Sequence, residues 1–214
     1  MEKIIIIGAG GFGRELHEML WCALQPADYT FKGFLARDAT ELQGHPDVGT
    51  VLDHPERYQP QADERFLLAI GDIEARRRIV ESLLSKGAKF LTWLHPSACI
   101  AKSAQVGQGA VVYPFALISN RAHLADFVHL SNYASVGHDA CVGKYSLLAP
   151  YATLNGFAVV EDEVLLSTHS TVTPERHVGR HSKVSANSVV TQDVPAGSLV
   201  FGVPGKHTRI MRRG

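Results

Sequence analysis

The residues best suited to chemistry are His138 and Asp139, which stand side by side in SVGHDACVGKYS, residues 135–146. Imidazole has an unperturbed pKa of about 6.5, so His138 can take a proton from a reacting group near neutral pH. The alternative is that His138 is one polar surface residue among the eleven histidines of the chain. To choose between these two interpretations, we next consider the secondary-structure elements that carry His138 and Asp139.

A second candidate site follows the apolar run at the start of the chain. The segment KIIIIGAGGFGRELHEML predicts a buried strand at 4–7, a glycine turn and an amphipathic helix from about Phe12. Gly8, Gly10 and Gly13 satisfy G-x-G-x-x-G between strand and helix, where backbone N–H groups can hold a phosphate. A tight turn without a ligand is the alternative interpretation.

The rest of the first ninety residues predicts a small parallel α/β unit. Further strands are expected at 31–35 and 66–70 and a helix at 73–85, and residues 90–94 lead through HPSA into the second half. A unit of this length is roughly half of a two-lobed dinucleotide fold. The size therefore disfavours a nicotinamide oxidoreductase and favours a site for a single nucleotide.

The second half carries a six-residue repeat. Every sixth residue from Leu94 to Val190 is Leu, Ile or Val, at seventeen consecutive positions. The fifth residue of each hexad is small in nearly every case, and only Arg176 is large. This spacing fits neither a helix nor simple alternation, and it is typical of the hexapeptide β-helix, in which identical positions stack coil upon coil.

Composition narrows the class of partner. Lys plus Arg and Asp plus Glu number 21 each, so the overall charge indicates neither a nucleic acid nor an anionic membrane as partner. Three cysteines and the lack of a charged segment followed by an apolar one predict a reducing, cytoplasmic location. No apolar run approaches the roughly 18 residues of a membrane span, so we expect no membrane insertion.

The repeat resembles that of the hexapeptide-repeat acyltransferases, whose prisms wind left-handed with three hexads per coil. Over nearly the whole chain, GAGG-x-G-R, AIGD, HPSA and GVPG-K are similar to sialic acid O-acetyltransferases and nucleotide-linked amino-sugar N-acetyltransferases, including the bacillosamine and perosamine enzymes. The resemblance implies an α/β Rossmann-like half domain at 1–93, an all-β left-handed parallel β-helix at 94–195 and a C-terminal tail at 196–214.

The same resemblance implies the activity. We expect an acetyl-CoA-dependent N-acetyltransferase that acts on a nucleotide-activated amino sugar, forms a homotrimer with active sites between prisms, and needs no metal. Val136-Gly137-His138-Asp139 matches the family's catalytic motif, so His138 would be the base and Asp139 would orient its ring. Many relatives carry glutamate there, and the shorter aspartate is expected to reach the ring less well.

The resemblance also implies binding residues. Residues expected to contact the acetyl-CoA are Gly156, Ser167, Ala186, Gly205 and Lys206. Residues expected to approach or border the acceptor's phosphates are Gly8, Gly10, Gly11, Gly13, Gly71 and Asp72. Gly156 stands one coil above His138 and is expected to leave room over the imidazole for a ligand.

The chain departs from the family pattern at several positions. Phe12 stands where some relatives have a histidine, and Ala36 and Arg37 stand where many have paired acidic residues. Leu147 replaces a second histidine, and Gly205 replaces an alanine, which is expected to be a mild change. These departures concern the acceptor pocket and the acetyl group, so neither the nucleotide nor the sugar is named from the sequence.

Three alternatives remain open. One is a sialic acid or related sugar O-acetyltransferase, and another is a non-catalytic nucleotide-sugar sensor. The third is a zinc-dependent γ-type carbonic anhydrase-like protein, which would use histidines expected on the surface or at an interface: His123, His129, His169, His177 and His181. The basic residues Lys206, Arg209, Arg212 and Arg213 form either a solvated tail or a contact with the phosphates of coenzyme A.

Overall fold

The computed structural model describes residues 1–210, and the chain divides into two units, Met1–Trp93 and the residues from Leu94 onward. The first unit is a small sheet with two helices, and the second is a parallel β-helix. No helix within residues 1–210 is both long enough and apolar enough to cross a membrane.

The first unit is a parallel α/β structure. Its elements are β1 (Glu2–Ile7), α1 (Gly11–Met19), β2 (Tyr29–Leu35), β3 (Val51–Asp53), β4 (Glu64–Leu68) and α2 (Ile73–Ser85), with 3-10 turns at Leu20–Cys22 and Ala39–Leu42. The four strands are parallel in the order β3-β2-β1-β4. The isoleucines of β1, Ile4 to Ile7, are fully buried, because β1 is a central strand covered on both faces.

Local pattern located most of these elements. The predicted helix at 73–85 is confirmed at both ends, and the three predicted strands exist but begin two residues earlier. The strand β3 was not predicted. It has only three residues, none of them fully buried, so it lacks the apolar run on which the prediction of a strand depends.

The second unit is built from two-residue strands that recur every six residues and form three walls. After β5 (Trp93–Leu94), the first wall contains β6 (Cys99–Ile100), β9 (Leu117–Ile118), β12 (Ser135–Val136), β15 (Thr153–Leu154), β18 (Thr171–Val172) and β21 (Val189–Val190). The second wall contains β7 (Gln105–Val106), β10 (His123–Leu124), β13 (Cys141–Val142), β16 (Val159–Val160) and β19 (His177–Val178). The third wall begins with β5 and contains β8 (Val111–Val112), β11 (His129–Leu130), β14 (Leu147–Leu148), β17 (Leu165–Leu166), β20 (Lys183–Val184) and β22 (Ser198–Phe201), with β23 (Lys206–Arg209) antiparallel at its edge.

Register confirms three hexads per coil. Ser135 pairs with Thr153 and Cys141 with Val159, so residues eighteen apart are neighbours on one wall. The repeated aliphatic side chains form one continuous core, and from Val112 to Val190 each is at most 1% exposed. The hydrophobic effect thus explains why the six-residue period is unbroken.

The corners of the prism have a backbone feature that the sequence analysis did not predict. From Phe115 to Asn187, the fourth residue of every hexad is a non-glycine residue with φ between +54° and +63°. At one such turn the N–H of Ala140 donates to the oxygen of Gly137 at 3.3 Å, as in a type II turn. A left-handed backbone costs an L-residue about 1–2 kcal/mol, so the stacked coils must impose it.

The prism continues beyond its predicted end at residue 195. Val178 pairs with Val194 and Val184 with Val200, both sixteen apart, so the last coil is two residues shorter than the others. Val194 is 4% exposed and pairs with Val178 in the place that the strict six-residue count gives to Ala196. The prediction of a separate tail at 196–214 is therefore wrong over 198–209, which form β22 and β23. Arg212 and Arg213 lie outside the described residues.

Candidate active site

His138 and Asp139 are the two central residues of the turn that joins β12 of the first wall to β13 of the second wall. We call the stacked turns between these two walls the His138 corner. The His138 side chain is 54% exposed and that of Asp139 is 16% exposed. The left-handed backbone of Asp139, with φ of +59°, brings its carboxylate beside the preceding imidazole.

The two side chains are hydrogen bonded. Nδ1 of His138 lies 3.0 Å from Oδ2 of Asp139. An ionised carboxylate only accepts hydrogen bonds, so Nδ1 carries the ring proton and Nε2 is the nitrogen that can accept one. The expectation that the shorter aspartate reaches the ring less well is wrong, because the turn places the two side chains within bonding distance.

Arg121, one coil below, was missed by the sequence analysis. Its Nε lies 2.6 Å from Oδ1 of Asp139 and its Nη2 lies 3.1 Å from Oδ2. The hydrogen bonds from Arg121, followed by that from His138, hold the pKa of the Asp139 carboxyl below its usual range. Arg121 could have been found from the sequence, because it stands eighteen residues before Asp139 and a separation of eighteen residues equals one coil.

Gly156 lies against the imidazole, so the expected free space over the ring does not exist. A Cβ atom at Gly156 would lie 2.6 Å from both Cε1 and Nε2 of His138. The missing side chain therefore makes room for the ring of His138 itself. The ring of Phe157 meets the same imidazole edge-on, with centroids 5.2 Å apart, and restricts it further.

The other predicted cofactor residues lie at a different corner. Ser167 and Ala186 occupy turns between the third and first walls, which we call the Ser167 corner. Gly205 is beside it, because its N–H donates to the oxygen of Val189 at 2.7 Å. Within one chain the first wall separates these residues from Gly156 at the His138 corner.

Gly205 is also required by packing. A Cβ atom there would lie 2.7 Å from the oxygen of Val189 and 2.9 Å from Cγ1 of Val200. The difference from alanine is therefore not the mild change that was expected. The described basic residues Lys206 and Arg209 are exposed on β23, and because they are three apart on a strand they point to opposite faces.

In the first unit, the four glycines of the predicted phosphate loop divide into two pairs. A Cβ at Gly8 would lie 2.4 Å from the oxygen of Ala69, and one at Gly13 would lie 1.8 Å from the oxygen of Gly8. These two glycines are required by the fold. A Cβ at Gly10 or Gly11 would meet no atom within 4 Å. Both glycines lie at the start of α1, where a ligand can approach the backbone closely.

Gly71 and Asp72 lie near this loop. The N–H of Ala69 donates to the oxygen of Ile7 at 2.9 Å, so the ends of β1 and β4 meet at one edge of the sheet. Gly71 faces open space. Oδ1 of Asp72 accepts from the N–H of Ala75 at 2.8 Å and caps α2. The structure therefore brings the predicted acceptor residues together, with the Asp72 carboxylate committed to the helix cap.

Two further residues hold this edge of the sheet and were not singled out from the sequence. Nη1 of Arg14 donates to the oxygens of Ala9 at 3.1 Å and Glu41 at 3.4 Å. Oε1 of Glu41 accepts from the N–H of Arg37 at 3.2 Å. Glu41 therefore places a carboxylate beside Arg37, four residues before it in the chain.

The histidines of the prism do not converge. His129, expected on the surface, is 2% exposed and bonds to Oγ of Ser131 through Nε2 at 2.9 Å. Leu147, one coil above it on the third wall, is 8% exposed. Within residues 1–210 no three His, Cys, Asp or Glu side chains are grouped as metal ligands would be.

Comparison with known proteins gives concordant results. Residues 3–83 match the PglD N-terminal domain family. GDP-perosamine N-acetyltransferase of Escherichia coli O157:H7 is 32% identical over 155 residues, which is 70% of each chain. UDP-N-acetylbacillosamine N-acetyltransferase of Bacillus subtilis is 32% identical over 120 residues, 52% of this chain and 51% of that protein.

Two solved structures resemble the chain over nearly its whole length. PerB from Caulobacter crescentus, in complex with CoA and GDP-perosamine, has a TM-score of 0.86 at 26% identity, covering 97% of this chain and 98% of PerB. The acetyltransferase domain of PglB from Neisseria gonorrhoeae, in complex with acetyl coenzyme A, has a TM-score of 0.86 at 27% identity, covering 96% and 98%.

The fold predicted from the sequence, a Rossmann-like half domain followed by a left-handed parallel β-helix, is confirmed by these likenesses. The chain belongs to the family of hexapeptide-repeat N-acetyltransferases that includes the perosamine and bacillosamine enzymes, and it is an acyltransferase.

Proposed function

We propose that the protein transfers an acetyl group from acetyl-CoA to the amino group of a nucleotide-activated sugar, with His138 as the general base. The observation that carries the proposal is the hydrogen bond from Nδ1 of His138 to Asp139, which leaves Nε2 ready to accept a proton at an exposed corner. Two named relatives are nucleotide-sugar N-acetyltransferases, and PerB was solved with CoA and GDP-perosamine. We place the reaction in the cytoplasm, in agreement with the cysteine content.

The mechanism follows from the pair. Nε2 of His138 takes a proton from the sugar amine as its nitrogen attacks the thioester carbonyl. Asp139 stabilises the imidazolium through Nδ1–H. As the C–N bond forms and the C–S bond breaks, His138 returns the proton to the departing thiolate. An amide and a free thiol result, and the ring is neutral again.

The glycine loop supports a phosphorylated acceptor. Gly10 and Gly11 have open space above their backbone while Gly8 and Gly13 do not, so packing explains only two of the four glycines in the loop. Backbone N–H groups at the start of α1 favour a negatively charged ligand. We assign the diphosphate of the acceptor to this loop and Gly71 to its border.

We further propose a homotrimer. The His138 corner and the Ser167 corner flank the first wall, so a three-fold axis facing that wall would bring the first corner of one chain to the second corner of its neighbour. In that groove one acetyl-CoA can reach His138 of one chain together with the binding residues of its neighbour, Ser167, Ala186, Gly205 and Lys206. Gly156, which lies against the His138 ring, is on the opposite side of the groove from these residues.

An exposed aromatic ladder at the Ser167 corner supports this interface. It consists of Phe115, Tyr133, Tyr151 and His169, whose rings stack in sequence at 5.1, 4.8 and 4.7 Å between centroids. Phe115 is 56% exposed, and Tyr133 and Tyr151 are each 46% exposed. Contiguous exposed apolar surface of this kind usually marks an interaction site.

The central test is a substrate screen with a histidine variant. Acetyl-CoA and a panel of nucleotide-linked amino sugars are incubated with the protein, and the release of free thiol is measured. His138→Ala should lower kcat by about 10²- to 10⁴-fold, while His123→Ala, an exposed histidine on the second wall, should leave it unchanged.

Activity of His138→Ala within tenfold of the parent would remove the mechanism. The product decides between the two acceptor classes, because an amide survives mild base and an ester does not. No described feature favours the O-acetyltransferase, the sensor or the zinc enzyme over the N-acetyltransferase.

A further inference from the structure

Arg121 holds Asp139, the partner of the proposed base, through two hydrogen bonds, whereas a surface ion pair needs only one contact. Its Nε and Nη2 meet both oxygens of Asp139, at 2.6 and 3.1 Å, and Oδ2 also receives Nδ1 of His138. Both oxygens of this carboxylate are therefore occupied. The three side chains form a chain of contacts from one coil to the next.

We propose that Arg121 is a positioning residue for the reaction. It holds Asp139 in the orientation that reaches His138, and its charge offsets part of the carboxylate's charge so that the ring returns readily to the neutral form. The proposal rests on the proposed role of His138 as the general base.

The geometric part follows from the short side chain of Asp139. A carboxylate on one methylene can rotate about its C–C bond, and in other orientations Oδ2 would turn from the ring towards solvent. A bidentate guanidinium fixes the carboxylate plane through two parallel hydrogen bonds. Arg121 is itself anchored, because its backbone N–H donates to Oγ of Ser103 at 3.1 Å, one coil further down.

The electrostatic part follows from the groups around the ring. In its own turn the ring of His138 contacts Asp139, and on the coil above it contacts Gly156 and Phe157. Asn120 and Arg121 stand eighteen residues earlier, on the coil below. At intervals of eighteen residues from His138 and Asp139, the next charged residues are Lys102 and Glu175. Each of them is two coils away, at about 10 Å. Arg121 is thus the cation that balances Asp139.

The position of Arg121 separates this role from one in folding. Its side chain is 67% exposed, so its removal leaves no cavity in the core. Exposed ion pairs contribute little to stability. A variant of Arg121 should therefore fold, and its effect should appear in the kinetics.

The test uses Arg121→Met and Arg121→Lys with acetyl-CoA and an accepted amino sugar. Arg121→Met should lower kcat about tenfold and leave both KM values within about twofold. The acid limb of its kcat profile should move to higher pH, because an unbalanced carboxylate favours the imidazolium.

Arg121→Lys separates charge from geometry. A lysine keeps the positive charge but cannot hold both oxygens in one plane. Its acid limb should stay near that of the parent, while its kcat recovers only in part. Arg78→Met is the matched control, because Arg78 is 68% exposed and pairs with Glu56 at 3.1 Å far from this turn along the chain.

The outcomes distinguish this inference from the proposed function. If His138→Ala abolishes activity and Arg121→Met keeps the parental kcat and pH profile, the role of Arg121 is overturned and the base remains. If Arg121→Met raises the KM for acetyl-CoA with an unchanged kcat, Arg121 contacts the donor and the inference also fails. If His138→Ala keeps its activity, the proposed function fails. Adding Arg121→Met to His138→Ala should have no further effect, since both act through one ring.

Discussion

The proposed base depends on a glycine eighteen residues away. Gly156 offers the ring of His138 a flat backbone surface, and any side chain there would meet Cε1 and Nε2 at 2.6 Å. Contacts under 3 Å force one partner to move. Phe157 limits the movement from the same coil, so an added methyl group would have to push the imidazole away from its position.

Gly156→Ala should therefore reduce kcat by about 10- to 100-fold, because a displacement of about 1 Å in a reacting group can cost this much. The KM for acetyl-CoA should stay within about twofold of the parental value, since the clash is with the ring. Steady-state kinetics with both substrates measure the effect. A raised KM for acetyl-CoA with an unchanged kcat would show that Gly156 contacts the cofactor instead.

At the scale of the elements, the glycines of the strand-turn-helix at the start of the chain have two different roles. Some are required for folding, and others are available for binding. Gly8→Ala should destabilise the first unit, because its φ of +106° and the 2.4 Å approach to the Ala69 oxygen exclude a side chain. Gly10→Ala should leave stability nearly unchanged, because a Cβ there meets no atom within 4 Å.

The matched pair is measured by thermal unfolding and by acceptor kinetics. Gly10→Ala should raise the KM for the nucleotide-linked sugar several-fold at an unchanged melting temperature, if the loop holds its phosphates. An unchanged KM would show that the loop is only a turn. Gly8→Ala should lower the melting temperature by several degrees.

A buried carboxylate ties β2 and β4 together in the first unit. Glu64 is fully buried and accepts hydrogen bonds from Tyr58 Oη at 2.6 Å, from the N–H of Gln61 at 2.8 Å and from Nζ of Lys32. Burial alone would raise the pKa of Glu64, but the bonds from Lys32, Tyr58 and Gln61 together outweigh it. The net effect is a lowered pKa.

Glu64 should therefore make stability depend on pH. Because its folded pKa is below the ordinary value of 4.5, its contribution is present above that pH and is lost as the pH falls through the folded pKa. Glu64→Gln should lower the free energy of unfolding at pH 7 by about 2 kcal/mol. The difference from the parent should shrink in acid.

Urea unfolding at several pH values tests this prediction. Glu81→Gln is the control, because Glu81 is 54% exposed and pairs along α2 with Arg77 at 3.6 Å. It should change stability by less than about 0.5 kcal/mol. An equal loss in both variants, or a loss in Glu64→Gln that does not change with pH, would contradict the assignment.

At the scale of the whole molecule, the proposed trimer makes the aromatic ladder an interface. Changing both Tyr133 and Tyr151 to Lys places two like charges one coil apart in apolar surface and should convert the trimer to monomers. Light scattering should give three times the 23.3 kDa chain for the parent and a single chain for the variant.

Activity should fall with dissociation, because the proposed groove needs two chains. Lys183→Glu is the control, since this exposed residue lies on the third wall, away from the first wall. A parent that is monomeric and fully active would remove the trimer and the groove together. A monomeric double variant with full activity would show that one chain holds the complete site.

Much of the fold could be predicted because it follows from burial along the chain. An aliphatic side chain every six residues has to be enclosed, and a coil of three short walls encloses it. The same reasoning located the strand, glycine turn and helix at the amino terminus. The same period leaves His138 and Asp139 outside the buried positions, and the structure places both at a corner.

The local sequence pattern could not predict the side-chain contacts between coils. Arg121 meets Asp139, and Gly156 meets the ring of His138, because each pair is eighteen apart and the turns adopt a left-handed backbone that non-glycine residues disfavour. The two-residue shortening at Val194 likewise depends on which side chain fills the last interior position. The hydrophobic period can be read from residues that are close in the sequence. The partner of a side chain on the next coil depends instead on the rise and rotation from one coil to the next, which only the tertiary structure shows.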